Sequence, residues 1–258
     1  MYEALSIAAT GLRNQQNRID SIANNVANAN TIAYKSARLD FKDALYTTGI
    51  IPGPPRSPDE NQQKGHGLMV AGIGKDWRNG NLEITERPLD FAIEDEGFFP
   101  LMAPGGDTIY TRGGNFYLST EADGTYLVNG SGLYVLDQNG ARIMVPVGVT
   151  SIEADTDGTI LFVSNSVEIG RVTLGIFTFR NLTGLETAGE GNYAQTPAAG
   201  ERLPAGSAVL RQGILEQSNV NMAEEMTRLI RTQRAFQLAS RALSTADDME
   251  GIANNMRR

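Results

Sequence analysis

Ile22-Ala23-Asn24-Asn25-Val26-Ala27-Asn28-Ala29-Asn30-Thr31, with Tyr34-Lys35 just beyond, closes a run in which Leu5, Leu12, Ile19 and Val26 recur at heptad spacing. Ala8, Gln15, Ile22 and Ala29 fill the companion positions, so the spacing predicts an amphipathic helix from about Tyr2 to about Asn28 with a coiled-coil-like seam. Small companions permit close approach of a second helix. The asparagines are poor helix formers and offer amide donors and acceptors where a core helix would carry Leu, which marks a docking surface. Gly11 inside the helix costs roughly 1 kcal/mol relative to Ala and implies close packing or a bend.

A seam needs a partner, and the other end of the chain supplies one. Met222, Leu229, Phe236 and Leu243 repeat the heptad spacing, with Thr232, Ala239, Ala246 and Ala253 as companions. Asn219 or Asn221 can cap this helix, and Glu224 and Glu225 in its first turn complement the helix dipole. Arg228, Arg231, Arg234 and Arg241 form a basic stripe, either solvated or paired with carboxylates of a neighbouring chain. One antiparallel helix pair buries little, whereas many copies bundled together bury much more. That favours a polymer, while an α+β globule with both helices on its own sheet stands as the alternative on pattern alone.

The middle of the chain reads as β from Leu68 to about Arg211. Phe91-Ala92-Ile93, Ile109-Tyr110-Thr111, Phe116-Tyr117-Leu118, Tyr126-Leu127-Val128 and the long run Val172 to Phe179 are rich in β-branched and aromatic residues. Asn79-Gly80, Asp123-Gly124, Asn129-Gly130, Asn139-Gly140 and Asp157-Gly158 supply residues suited to tight hairpin turns. Ahead of this region a short helix is expected over Leu39 to Tyr46. Gly49 to Pro58, with Pro52, Pro54, Pro55 and Pro58, forbids helix and sheet interiors and reads as an extended arm or a linker running to about Gly67. The fold class is therefore α+β: terminal helices paired as a coiled-coil-like core domain, an inserted antiparallel β-rich domain and an extended Pro-rich arm. The corresponding segments are 1–36 (first helix of a discontinuous inner domain), 37–79 (linker helix and arm), 80–211 (outer β domain) and 212–258 (second helix of the inner domain).

The chain of 258 residues, 41% hydrophobic and 20% charged, has ample material for a core, and its 28 glycines point to many turns. A net charge of -8 repels nucleic-acid phosphate and anionic lipid, and no local basic patch offsets it. With no cysteine there is no disulfide, thiolate metal site or Cys nucleophile. Met1-Tyr2-Glu3 lacks the basic and apolar regions of a cleaved secretory signal, and no window has the apolar length to span a bilayer. Asp155-Thr156-Asp157-Gly158 opens like a calcium loop, but Thr159, Ile160 and Ser166 occupy ligand, glycine and closing-Glu positions, so a β-turn is expected. Gly72-Ile73-Gly74 meets Trp77 where a nucleotide fingerprint needs glycine, and Gly74-Lys75 lacks the rest of a P-loop. The lone His66 lies in the polar loop, and Glu94, Asp95 and Glu96 read as a solvated charge run. Neither catalytic, metal nor cofactor-binding residues are assigned, and no enzymatic function is expected.

Four blocks in order resemble the flagellar axial-protein family, in its basal-body rod branch. The first is Ala23 to Thr31 with Tyr34-Lys35; the second is Gly80-Asn81-Leu82 with Pro88 to Ile93 and Gly97-Phe98-Phe99. The third is Tyr110-Thr111-Arg112-Gly113-Gly114-Asn115-Phe116, and the fourth runs from Gln212 to Asn221 and through Glu224-Glu225-Met226 to Phe236. Departures are Ile32-Ala33, where the family often turns on a glycine, and Ile214, where an aromatic is common. The resemblance implies a structural subunit of the rod, a rigid drive shaft carrying torque from motor to hook, without catalysis or cofactor. It implies export through the flagellar type III apparatus without a cleaved signal, location in the cell envelope, and a helical homopolymer. Its other partners are neighbouring rod and hook subunits and ring-shaped bushings, with no nucleic acid and no membrane insertion. The length of the Pro-rich arm favours the distal over the proximal rod, and the arm is expected to stiffen the shaft. A secreted β-rich binding module is the alternative from another class. Leu5, Leu12, Ile19, Ile22, Asn24, Asn25, Val26, Asn28, Met222, Leu229, Phe236 and Leu243 are assigned to the subunit interface, with Asn24, Asn25 and Asn28 bridging between subunits.

Overall fold

The computed structural model describes residues 2–43, 46–48, 63–65, 68–206 and 208–256, so Pro52, Pro54, Pro55, Pro58 and His66 lie outside the described residues. Two helices, α1 (Tyr2–Ala27) and α2 (Met222–Met256), bracket a series of antiparallel strands. No described helix is long and apolar enough to cross a membrane. The chain divides into two compact units, one comprising Met1–Ala27, Ala37–Lys75 and Asn221–Arg258, the other Asn28–Ser36 and Asp76–Val220.

In the first unit α1 lies against α2. Leu12, Ile19 and Val26 of α1 and Met222, Leu229, Phe236 and Leu243 of α2 are all half-buried, and Ile22 is buried. Asn221 caps α2, its Oδ1 accepting from the Glu224 N–H at 3.3 Å. Among the described residues nothing comes within 4 Å of where a Cβ on Gly11 would stand, so of the two reasons expected for that glycine, close packing or a bend, close packing is not seen there. The strand Ala37–Asp43 pairs with Leu68–Lys75, and Tyr46–Thr48 pairs with Gln63–Gly65. The helix expected over Leu39 to Tyr46 is thus corrected to strand across its first half. Leu39 and Phe41 are half-buried while Arg38, Asp40 and Lys42 are exposed, a two-residue alternation that only a strand satisfies. The partner strand supplies backbone hydrogen bonds that a short isolated helix lacks.

Asn25, expected to bridge between subunits, has partners inside its own chain. It is only 2% exposed, its Oδ1 accepts from the Ala37 N–H at 2.8 Å, and its Nδ2 donates to the Ala37 carbonyl at 2.9 Å. The amide copies a strand's pairing groups and pins the first ribbon residue to α1. Replacing it with Leu orphans two backbone groups and is expected to cost about 1–3 kcal/mol, read as a lower urea midpoint of this unit; an unchanged midpoint would remove the pinning role.

The second unit is built on an eight-stranded antiparallel sheet. Its order is Met144–Val145, Gly124–Val128, Tyr134–Val135, Phe99–Met102, Thr108–Thr111, Asn192–Ala194 and Glu186–Gly189, with Tyr117–Glu121 also pairing Gly124–Val128. A three-stranded meander, Ser151–Ala154, Thr159–Ser164 and Val167–Thr173, packs its Ile160 and Phe162 into the same core as Phe91, Phe99, Leu101, Phe116 and Val135. A smaller aromatic cluster gathers Phe98, Tyr110, Phe177, Phe179 and Tyr193 against Trp77.

Asn139-Gly140 and Asp157-Gly158 form turns whose glycines take positive φ, as expected, whereas at Asp123-Gly124 the loop is Ala122-Asp123 and Gly124, at φ 152, is already the first strand residue, opposite Glu121. Two others differ. In the turn at Asn129 the positive-φ residue is Gly132, not Gly130. Asn79-Gly80 is no hairpin turn, for a Cβ on Gly80 would lie 1.9 Å from the Gln217 carbonyl oxygen; the glycine is there for close backbone approach. The run from Val172 to Phe179 splits between the meander and a separate pair, Phe177–Phe179 with Arg202–Pro204. Gly175 sits at the break, where a Cβ would come within 2.7 Å of Asp137 O and Pro100 Cγ.

Candidate functional site

The second unit draws residues from all four sequence blocks around one carboxylate. Glu216 ends the strand Ile214–Glu216, which pairs with Leu82–Ile84. Its Oε1 accepts from Lys35 Nζ at 2.7 Å and from the Gly80 N–H at 2.9 Å, and its Oε2 accepts from Arg112 Nε at 3.0 Å. Lys35, Arg112 and Glu216 are respectively 1%, 4% and 2% exposed, so water does not screen them. Lys35 lies 181 residues from its partner, and the contact ties one end of the chain to the other.

Two cations facing one anion leave an excess positive charge, which carbonyl dipoles offset. Lys35 Nζ donates to the Arg78 carbonyl at 2.8 Å. Arg112 Nη1 donates to the Asp95 and Gly97 carbonyls, each at 2.8 Å, and Nη2 to Asn79 Oδ1 at 2.8 Å. Every fork of the guanidinium is therefore engaged, the arrangement a buried Arg requires.

Neighbouring backbone closes the junction. The Ala33 N–H donates to the Glu216 carbonyl at 2.8 Å, and the Gln217 N–H to the Asn81 carbonyl at 2.8 Å. Asn219, the other candidate cap, instead accepts from the Ser36 N–H at 2.8 Å and donates to the Asp76 carbonyl at 2.8 Å. Ala33, one of the departures from the family pattern, adopts φ 56, the left-handed conformation that favours glycine.

The charges shift one another in an intelligible way. Burial lowers the Lys35 pKa, and repulsion from Arg112 adds to it, so the attraction of Glu216 does not restore the ordinary value. Burial alone pushes Glu216 up, but the charges of Arg112 and Lys35 and the hydrogen bonds from Lys35 and Gly80 outweigh it and hold the carboxyl below 4.5. The carboxylate has two cations beside it, whereas the ammonium has Glu216 in contact and only the weaker pull of Asp76 besides. A depressed carboxyl pKa stabilises the fold fully above the unfolded value and loses that contribution as pH falls through the folded value. Below pH 4.5, wild type is therefore expected to lose stability more steeply than Glu216→Gln; parallel acid limbs in urea titrations would refute the linkage.

The other sequence candidates fall into place separately. Leu12, Ile19 and Val26 on α1 and Met222, Leu229, Phe236 and Leu243 on α2 are half-buried and Ile22 is buried, on two helices that lie against each other; Leu5 belongs to α1, but its side chain is outside the described residues. Asn24 is exposed, and Asn28 is half-buried, its Oδ1 accepting from Thr31 Oγ1 at 3.2 Å. Of the basic stripe, Arg228 pairs within its own helix, with Glu224 at 2.5 Å and Glu225 at 2.9 Å. Asp155-Thr156-Asp157-Gly158 is the meander's first turn, with the Gly158 N–H donating to the Asp155 carbonyl at 3.1 Å. Glu94 pairs with Arg211 at 2.7 Å on the surface. Among the described residues, no group of three His, Cys, Asp or Glu could hold a metal.

Sequence reading quoted Lys35, Arg112 and Glu216 inside motif blocks but assigned them no role. The available signal was a charged residue inside each of three short stretches, Tyr34-Lys35, Thr111-Arg112-Gly113-Gly114 and Leu215-Glu216.

Known proteins resemble the chain over its whole length. Residues 5–35 match the family described as "Flagella basal body rod protein", 92–162 the "Flagellar hook protein FlgE/F/G D1 domain", and 211–256 the "Flagellar basal body rod FlgEFG protein C-terminal". The chain is 34% identical to the flagellar basal-body rod protein FlgG of Borreliella burgdorferi, over 100% of both chains. It is also 34% identical to FlgG of Bacillus subtilis and 30% identical to that organism's flagellar hook-basal body complex protein FlhP, again over 100% of both. All three blocks of the ionic junction fall within or beside matched regions, and the chain belongs to the flagellar basal-body rod protein family.

Proposed function

We propose that this chain is a structural subunit of the flagellar distal rod, polymerising into a helical shaft that carries torque from motor to hook. The observation that carries the reading is the exposed side of α2. Met226, Ile230, Leu238, Met249 and Ile252 are 51%, 53%, 66%, 59% and 59% exposed on a helix whose other side is already occupied. A water-facing row of this kind on one long helix is what further copies would cover. The half-buried heptad residues then act as a coiled-coil-like seam within each subunit, and α1 and α2 line the polymer's interior. Full-length relatives named as basal-body rod proteins support the same role.

In this reading the chain has no enzymatic activity, leaves the cytoplasm through the flagellar export apparatus, and works in the cell envelope between rod, hook and ring proteins. Pro52, Pro54, Pro55 and Pro58 stiffen the shaft by locking neighbouring subunits. Deleting Pro52 to Asn61 is expected to shorten the polymer's persistence length in electron micrographs, and an unchanged length would remove the stiffening role. The test of the whole is sedimentation of purified protein under crowding or at low temperature, followed by electron microscopy. Tubes or filaments are expected; a protein that stays monomeric would overturn the proposal.

A further inference from the structure

The exposed surface of α2 carries a charge pattern with its own periodicity. At about 100° per residue, Glu224, Arg231, Ala235, Ala242 and Ala246 fall along one flank of the helix. Met226, Ile230, Gln237, Arg241, Ser244 and Asp248 fall along the other, and the stripe of Glu225, Leu229, Thr232 and Phe236, buried or half-buried, runs between the flanks. Arg231, Arg241 and Asp248 are exposed and engage no partner among the described residues, while Glu224 holds only its own Arg228.

Copies repeated by a screw operation meet heterologously, so one flank of a copy faces the other flank of the next. The same separation of 17 residues divides Arg241 from Glu224, Asp248 from Arg231, and the exposed Ile252 from Ala235. We propose that a second copy of this chain docks along α2 shifted by 17 residues, about 25 Å at 1.5 Å per residue. Arg241 then faces Glu224, Asp248 faces Arg231, and Ile252 covers Ala235. Without the shift neither charge pair meets. Within the overlap, the small Ala235 on one flank and Ser244 on the other let the helices approach closely enough for these contacts. The inference rests on the polymer reading and adds its partner surface and axial register.

The absence of native cysteine makes disulfide trapping clean. Full-length Arg231→Cys/Asp248→Cys protein, polymerised and then oxidised, is expected to give a ladder of covalent oligomers on a denaturing gel. Arg234→Cys/Asp248→Cys, with one position off the flank, is expected to stay monomeric on the same gel. In parallel, Arg231→Asp and Asp248→Arg should each lower the polymer fraction about tenfold, and the double exchange should restore it. Polymer without the ladder, an equal ladder from the control pair, or a double exchange that restores nothing would overturn the register and leave the rod reading intact. Failure of the unsubstituted chain to polymerise would overturn both.

Discussion

Glu216→Ala is expected to destabilise the unit containing the eight-stranded sheet by about 3–5 kcal/mol, the cost of stranding buried charges without their counter-ion. Lys35 and Arg112 would both remain inside, and the Gly80 N–H would lose its acceptor. Because the three groups share one pocket, the loss should not divide into independent pair energies. Glu216→Gln, which keeps an acceptor oxygen but no charge, should fall between wild type and the alanine variant. Glu153→Ala, at an exposed meander position, should stay within about 0.5 kcal/mol of wild type. Urea denaturation followed by the fluorescence of Trp77, which packs on the neighbouring aromatic cluster, measures all three. A Glu216→Ala loss below about 1 kcal/mol would mean that the cations find water or other partners with little strain, and the junction would not be a main support of this unit.

Phe236→Asp is expected to cut polymer yield to a small fraction of wild type while leaving the strands folded. Phe236 is half-buried on the side of α2 that Thr232, one turn earlier, buries. A carboxylate there must either lose water, at several kcal/mol, or push the helices apart. Either outcome misplaces the exposed apolar row on which further copies are to pack. The β-rich unit has its own core and hydrogen bonds, so its strand circular dichroism and urea midpoint should stay unchanged. Filament yield equal to wild type would remove the α2 seam from assembly.

Much of the architecture was legible because it rests on local periodicity. Heptad spacing located both helices, and Asn139-Gly140 and Asp157-Gly158 located turns, because positive φ is a property of one residue. Ala37–Asp43 was missed for a local reason also, a two-residue alternation passed over in favour of helix-forming residues. Gly80 was misread for a different one. A glycine that admits a neighbouring backbone and a glycine that turns the chain look alike until the neighbour is in place. The half-buried positions of both helices were legible as a set, since half-burial follows from the heptads, but the destination of the Asn25 amide was not.

Sequence by itself thus determined two terminal helices around a β-rich middle, the absence of thiol chemistry and, through four spaced blocks, the family. Only the tertiary structure decided that residues of those blocks meet around one carboxylate. Lys35, Gly80, Arg112 and Glu216 come from segments with no common periodicity, and their meeting depends on strand pairings such as Ile214–Glu216 with Leu82–Ile84. A buried carboxylate with two cations is stable only when every partner arrives, and which partners arrive is a property of the whole fold. The asparagine-rich end of α1 changed its meaning for the same reason. The Asn25 amide, which the spacing offers to another subunit, bonds the N–H and carbonyl of Ala37 in the ribbon that folds back beside it.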